Sequence, residues 1–569
     1  MNFVTNLASK RSYFNDLFLL ALFFLVFYLL WIGNYPVFVP DEGRYSEVAR
    51  EMVATGDFIT PRVNGVAFLD KPVLYYWLQS IAIYFFGVKE WALRLFPALF
   101  GVLGCLLTYV AGRYVFDRRT GIVSAIILAT TPLYFANAHY ANLDLEVAVL
   151  ISATLLFFLM GALTDKKRKL YFFISAYVFA SLAFLTKGLI GIVFPGIIGL
   201  AWMVTVKRFD VLKKMSLLFG IFIFLALTLP WYILVQKANP EFLHFFFVTQ
   251  QLNRFLSHES FNNPSPIWFY LPVVLIGFFP WSMFIVQAMV RAAKNLFIKM
   301  QTREMQAQLF LFIWALFVFI FFSIPSSKIV GYILPIFPSL ALLVGHYLSV
   351  AWERVAKIKH RLTIALFVLL TIAMAGFLIL AHVKQLIEIS SHFETYLILM
   401  TATLLVSAVV AIASFRRRSF ATFFAVCVLG NVVFLLTLVH GARHLNQNTA
   451  KPLISILQTK LAPNDEVVNY FKFYSDVPLY LGRRVTLVAD WQAPDIASRD
   501  NWVRELWYGM PFQKTDDWLI SEKVFWQRFN SKNRVFVFVN ENYFDRFKQQ
   551  AKRYYVVGKY NDIILVRNK

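Results

Sequence analysis

The stretch VPDEGRYSEVAR, residues 39–50, follows directly on FNDLFLLALFFLVFYLLWIGNY, an apolar run with the length of a membrane span. Asp41, Glu42, Arg44 and Tyr45 therefore stand where the chain leaves the bilayer, and Asp70 and Lys71 close the same loop in FLDKP. Charges at that depth must be solvated, paired or held by a ligand, because a lone ion among lipid tails costs ~2.5 kcal/mol or more. Groups of both signs occupy other junctions between apolar runs: Asp144 in NAHYANLDLE, Lys187 in LTKGLIG, Arg254 in the longer loop 236–265, and Lys328 and Tyr332 in SIPSSKIVGY. Carboxylates accept protons or sugar hydroxyls, whereas lysine and arginine hold phosphate, so both types at one depth fit a phosphate-linked sugar. Simpler roles stay open for several of them. Acidic N-capping and a solvated helix face account for Glu47, Arg50 and Glu51, a snorkelling stem for Lys71, and loop capping for Asp144. His139 and His258 read as structural.

Such groups need a scaffold, and composition names its kind. Of 569 residues 59% are hydrophobic and 18% aromatic, only 15% are charged, and the mean hydropathy is +0.61, more than a soluble core requires. The chain reads as a polytopic α-helical membrane protein. Its net charge of +23 does not point to nucleic acid, since Lys and Arg cluster in short segments between apolar runs, as the positive-inside rule expects. Cys105 and Cys427 both lie inside apolar runs, which excludes a disulfide framework or a cysteine metal site. The first run is span-length with no small-residue cleavage site after it, so it reads as a retained helix.

About thirteen runs of span length lie between residues 14 and 440. With thirteen crossings, the basic clusters at Lys10 and Arg11, DRRT, DKKRK, KRFDVLKK, Arg291 to Arg303, ERVAKIKHR and FRRRS all fall on the N-terminal side. If KPVLYYWLQSIAIYFFG at 71–87 also crossed, every later cluster would change sides, so this segment is expected as an interfacial or half-inserted helix. The opening carboxylates are then external, as is everything after about 441. Residues 1–440 are thus expected to form a transmembrane catalytic domain, with a first external loop at about 34–90. Residues 441–569 are expected to form a small α/β domain. In the latter RVFVFVN and DIILVRN read as strands and ENYFDRFKQQAKR as a helix, and no dense set of catalytic residue types marks it as more than a lid or scaffold.

The run VPDEGRYSEVAREMVATGDFITPRVNGVAFLDKPVLYYW, followed by ANLDLE, FLTKG, FFPW and SSKIVGYILPIFPSLALL, resembles the bacterial lipid A 4-amino-4-deoxy-L-arabinose transferases. It also resembles the wider membrane glycosyltransferase group that includes protein O-mannosyltransferases. The likeness covers almost the whole chain. It implies a GT-C fold with about thirteen transmembrane helices and a periplasmic C-terminal domain, a donor sugar on undecaprenyl phosphate, and a lipid A phosphate as acceptor. Carried over, it places the family's catalytic groups on Asp41, Lys71 and Asp144. Phosphate or substrate contacts fall on Arg44 and Tyr332, with Glu42, Tyr45, Lys187, Arg254 and Lys328 in the same set. Some members hold zinc through a glutamate before the lysine and a histidine in the long external loop. Asp70 and Gln251 take those places here, so no cofactor is expected to be required and Asp70 offers at most a weak divalent-metal position.

The expected function is therefore transfer of a sugar, such as an amino sugar, from undecaprenyl phosphate to lipid A at the periplasmic face of a bacterial inner membrane. A protein O-glycosyltransferase using a polyprenyl-phosphate sugar is the alternative in the same class. A lipid-linked sugar transporter would need polar groups at mid-membrane, and the spans carry few.

Overall fold

The computed structural model describes residues 2–164, 169–253, 264–298, 301–352, 359–384, 391–416, 420–445, 448–499 and 501–569. Among them ten helices are long and apolar enough to cross a bilayer, or up to twelve if each of two bent pairs counts once. Ile190–Val206 is a shorter apolar helix. The segment expected to lie at the interface folds as Leu74–Phe86, whose 13 residues reach about 20 Å, short of the ~30 Å apolar core of a bilayer. The chain is a multi-pass membrane protein.

Packing divides the chain into two compact units that do not follow chain order: Met1–Asn34, Arg94–Leu229 and Pro264–Leu445 form one, and Tyr35–Leu93, Pro230–Asn263 and Asn446–Lys569 the other. The last apolar helix is Phe420–Gly441, and the second unit gathers residues from both sides of the boundary expected at 440/441.

The first unit is a helical bundle around Asp144–Ala162, which is 94% buried and therefore apolar on every side. One end is tied by charge. The Asp16 carboxylate accepts from Arg113 Nη1 at 2.5 Å, Arg118 Nε at 2.7 Å and the Tyr109 hydroxyl at 2.9 Å. Arg208 donates to the Ala162 carbonyl and Arg303 to that of Tyr114 at the same end. Three basic segments thus share the end at which the first helix begins, as the charge pattern requires. At the other end Arg94 donates to Ile32 O and Asn34 to His440 O. Two spans are broken: Arg118–Ala129 meets Pro132–Ala138 at 66°, and Tyr270–Gly277 meets Trp281–Phe297 at 109°. Each break frees backbone carbonyls that lipid cannot satisfy. Asn431 supplies the missing partner for both, donating to Thr130 O at 2.5 Å and Phe279 O at 2.9 Å.

In the second unit the Asp41–Thr55 helix opens with Asp41 and Glu42 at the positive end of its dipole, as expected from PDEGRY. A two-residue hairpin follows, Arg62–Val63 against Val66–Ala67, turned by Asn64 at φ 50° and Gly65 at φ 77°. The same Asn64 side chain exchanges two hydrogen bonds with the backbone of Val485. The C-terminal region holds a six-stranded sheet ordered Leu519–Ile520, Thr486–Val488, Glu466–Tyr470, Val535–Asn540, Ile563–Arg567 and Tyr555–Tyr560. The first four strands are parallel and the last two join antiparallel. Val535–Asn540 and Ile563–Arg567 are the two strands read from the sequence, and Glu541–Gln550 is the helix between them. Val468, Val537 and Val566 on one sheet face pack against Phe525 and Phe547 to close this core.

Candidate active site

Two clusters of opposed charge, one in each unit, gather most of the residues singled out by type and spacing. In the bundle, Asp144 is the first residue of the Asp144–Ala162 helix, and its N–H is capped by Asn142 Oδ1 at 3.1 Å. The Lys187 ammonium, at the end of Lys169–Lys187, donates to Asp144 Oδ1 and sits 4.1 Å from the centre of the Tyr332 ring. The pair is nearly enclosed, with 12% and 13% of the two side chains exposed, so its attraction is little screened. A methyl group on Gly331 would fall 2.5 Å from Asp144 Oδ2, which explains a glycine beside Tyr332. Asp144, Lys187 and Tyr332, far apart in sequence, are one constellation.

Lys328 departs from its expected role. It is buried, and its ammonium donates to the carbonyls of Ser265 and Pro325, so it braces the turn before Tyr332 instead of offering its charge to phosphate. Burial lowers its affinity for its proton, in keeping with an interior brace. Arg254 and His258 lie outside the described residues.

In the second unit Arg44 Nη2 donates to Asp41 Oδ1 at 2.6 Å while Nη1 donates to the Glu505 carboxylate. Its guanidinium also lies over the rings of Tyr45 and Phe68, at 5.4 and 5.7 Å. Burial alone would weaken its hold on the proton, but Glu505 first, then Tyr45 and Asp41, raise it well above the usual range. Arg44 is a fixed cation. Glu42, expected among the substrate contacts, is instead fully buried and accepts from Phe38 N–H at 2.7 Å, so it shapes the loop. Lys71 donates to the Asp70 carbonyl at 3.2 Å and is half-buried.

Asp70 Oδ1 accepts from Gln250 Nε2 at 3.2 Å, with Gln250 carried by His244–Asn253. Sequence spacing pointed to Gln251 at this place; its side chain lies outside the described residues, and Gln250 meets Asp70. An amide donor facing the carboxylate does not fit a zinc site, and among the described residues no three His, Cys, Asp or Glu side chains gather as metal ligands.

Glu505 is a group that reading the sequence did not find. It lies on the short helix Trp502–Trp507 of the C-terminal region, where the expectation was a scaffold without chemistry. The region is packed hard against the loop that carries Asp70. A Cβ on Gly509 would stand 2.0 Å from Ala67 O, Gln513 Nε2 donates to Gly65 O, and the rings of Tyr508 and Phe245 lie 5.4 Å apart at a tilt of 52°. A lone acid among aromatics in NWVRELWYG was the available signal, and it carries no spacing that names a partner.

Residues 70–234 match the family described as dolichyl-phosphate-mannose-protein mannosyltransferase. The undecaprenyl phosphate-α-4-amino-4-deoxy-L-arabinose arabinosyl transferase 2 of Proteus mirabilis is 32% identical over 335 residues, 58% of each chain. Transferase 1 of the same organism is 30% identical over 421 residues, 72% of this chain and 74% of the relative. The enzyme of that name from Erwinia tasmaniensis is 30% identical, again over 58% of each chain, so the match spans little more than half the length of these first relatives. Among solved structures, ArnT from Cupriavidus metallidurans bound to undecaprenyl phosphate superposes with a TM-score of 0.81 over 98% of both chains at 24% identity. Its apo form gives 0.82. The architecture is the GT-C fold.

Proposed function

This chain belongs to the undecaprenyl phosphate-α-4-amino-4-deoxy-L-arabinose arabinosyl transferases, and from that membership we propose that it is a glycosyltransferase moving an amino sugar from undecaprenyl phosphate to a phosphate of lipid A. The observation that carries the reading is the gathering of Asp144, Lys187 and Tyr332, and of Asp41 with Arg44, into charged clusters on a fold shared with a protein that binds undecaprenyl phosphate. The reaction is assigned to the periplasmic face of the inner membrane. Support comes from the bundle, where basic segments collect at the end opposite Asp144, and such segments face the cytoplasm.

In the proposed step an acceptor oxygen forms a bond to the anomeric carbon. The bond from that carbon to the lipid phosphate oxygen breaks, and its electron pair stays on the departing phosphate. Lys71 supplies fixed positive charge where that negative charge grows. A phosphate acceptor is already an anion and needs little deprotonation, so Asp41 acts on the oxocarbenium-like charge at the anomeric carbon; a hydroxyl acceptor would need Asp41 as base. Within the bundle, Tyr332 and the Asp144–Lys187 pair are assigned as substrate contacts. No metal enters the step.

The test uses the full-length protein in proteoliposomes with undecaprenyl-phosphate amino sugar and lipid A. Asp41→Asn and Lys71→Ala are each expected to lower turnover at least a hundredfold while the protein stays monodisperse in detergent. Wild-type turnover in Asp41→Asn would refute its assignment. Mass spectra of lipid A from cells with and without the gene test the acceptor. An unchanged spectrum would move the reading to a protein acceptor, the class named by the matching mannosyltransferase family.

A further inference from the structure

The Asp41–Arg44–Glu505 cluster contains two acids and one base, a formal charge of −1. Its geometry decides which charge a ligand meets. Only 15% of the Arg44 side chain is exposed, against 46% for Asp41 and 31% for Glu505, so the surface is carboxylate and the guanidinium lies behind it as a counter-ion. The guanidinium between the two carboxylates offsets their mutual repulsion. A phosphate approaching this face meets like charge, whereas an ammonium meets two acceptors.

A second observation points the same way. Tyr76 is fully buried, its hydroxyl has no hydrogen-bond partner among the described residues, and its electrostatic neighbours are Tyr45, Asp70, Arg44 and Glu505. A polar atom left unpaired beside this cluster marks a place completed by another group. The placement of Glu505 is firm, because the close approach of Gly509 to the Ala67 carbonyl and the bond from Gln513 to Gly65 fix the segment on the loop.

We infer that Glu505, with Asp41, binds the amino group of the transferred sugar, so that the C-terminal region sets which sugar is accepted. The inference deepens the proposed function and rests on it. It also reassigns Arg44 from phosphate contact to the cation that holds two acids ready, leaving the phosphate to Lys71.

The experiment compares two donors with the full-length protein in proteoliposomes: undecaprenyl phosphate carrying 4-amino-4-deoxy-L-arabinose, and the same lipid carrying L-arabinose, with a hydroxyl in place of the amine. A site with ionised acceptors for the amine should favour the amino donor in kcat/KM by at least about tenfold, chiefly through KM. Glu505→Gln is expected to reduce that preference about tenfold, and Glu505→Asp to recover part of it. Equal KM for the two donors in the unaltered protein overturns the inference without any variant, and so does an unchanged preference in Glu505→Gln. Absence of transfer from both donors by the unaltered protein would instead overturn the proposed function itself.

Discussion

Asp144 and Asp476 show how differently two aspartates can be used. Asp144 is paired: Lys187→Met should leave a nearly enclosed carboxylate without its cation and cost about 3 kcal/mol. Adding Asp144→Asn to that variant should return most of the loss, read from thermal melting in detergent. Asp476 has no cation among the described residues. It is fully buried, and burial pushes its carboxyl up to about 6 from 3.8, against the opposing pull of the Thr449 hydroxyl and the Ala450 N–H, each at 2.7 Å. The folded chain thus holds this proton more tightly than the unfolded chain. Its contribution is complete below about pH 4 and is lost as pH rises to about 6, a change on the order of 3 kcal/mol. Melting from pH 4 to 7 should show this fall in the natural chain, and Asp476→Asn should remove it. Residue types in the sequence identified Asp41, Asp144 and Lys71 as groups that need a reason to be where they are. They could not separate Lys328, which braces a turn, from Lys187, which pairs with Asp144, because an ammonium reads alike whether it meets carbonyls or a carboxylate.

Elements decide how closely such groups approach. Tyr332 and Gly331 lie on a single turn, Val330–Ile336, pressed against the start of the Asp144–Ala162 helix. Gly331→Ala would place carbon 2.5 Å from Asp144 Oδ2, so Asp144 must move off Lys187. The expected result is at least a tenfold loss of transfer with the helical circular-dichroism signal retained; unchanged turnover would show that the Asp144–Lys187 contact is dispensable. The two broken spans are a different case. Their apolar composition made each look like one continuous helix, and the bends became visible only with Asn431 in place, since a single amide on a distant helix satisfies both breaks.

For the whole molecule, the proposed orientation has basic segments in the cytoplasm and the residues after 441 on the other side. The chain offers a clean test, because Cys105 and Cys427 are both buried and should stay silent to a thiol reagent. Ser498→Cys, on an exposed turn, is expected to react with a membrane-impermeant maleimide in intact spheroplasts. Labelling only after lysis would reverse the orientation. Composition and periodicity alone determined that this is a multi-pass helical protein with a sheet-forming C-terminal region and acids and bases at the span junctions. They act locally: a run of apolar residues must leave water, and alternating β-branched residues must pair. Tertiary structure alone decided that Glu505 faces Arg44, that Gln250 meets Asp70, and that Glu42 is buried. Those contacts join positions up to several hundred residues apart, and no local preference encodes which of many carboxylates a guanidinium will meet once the chain has folded around it.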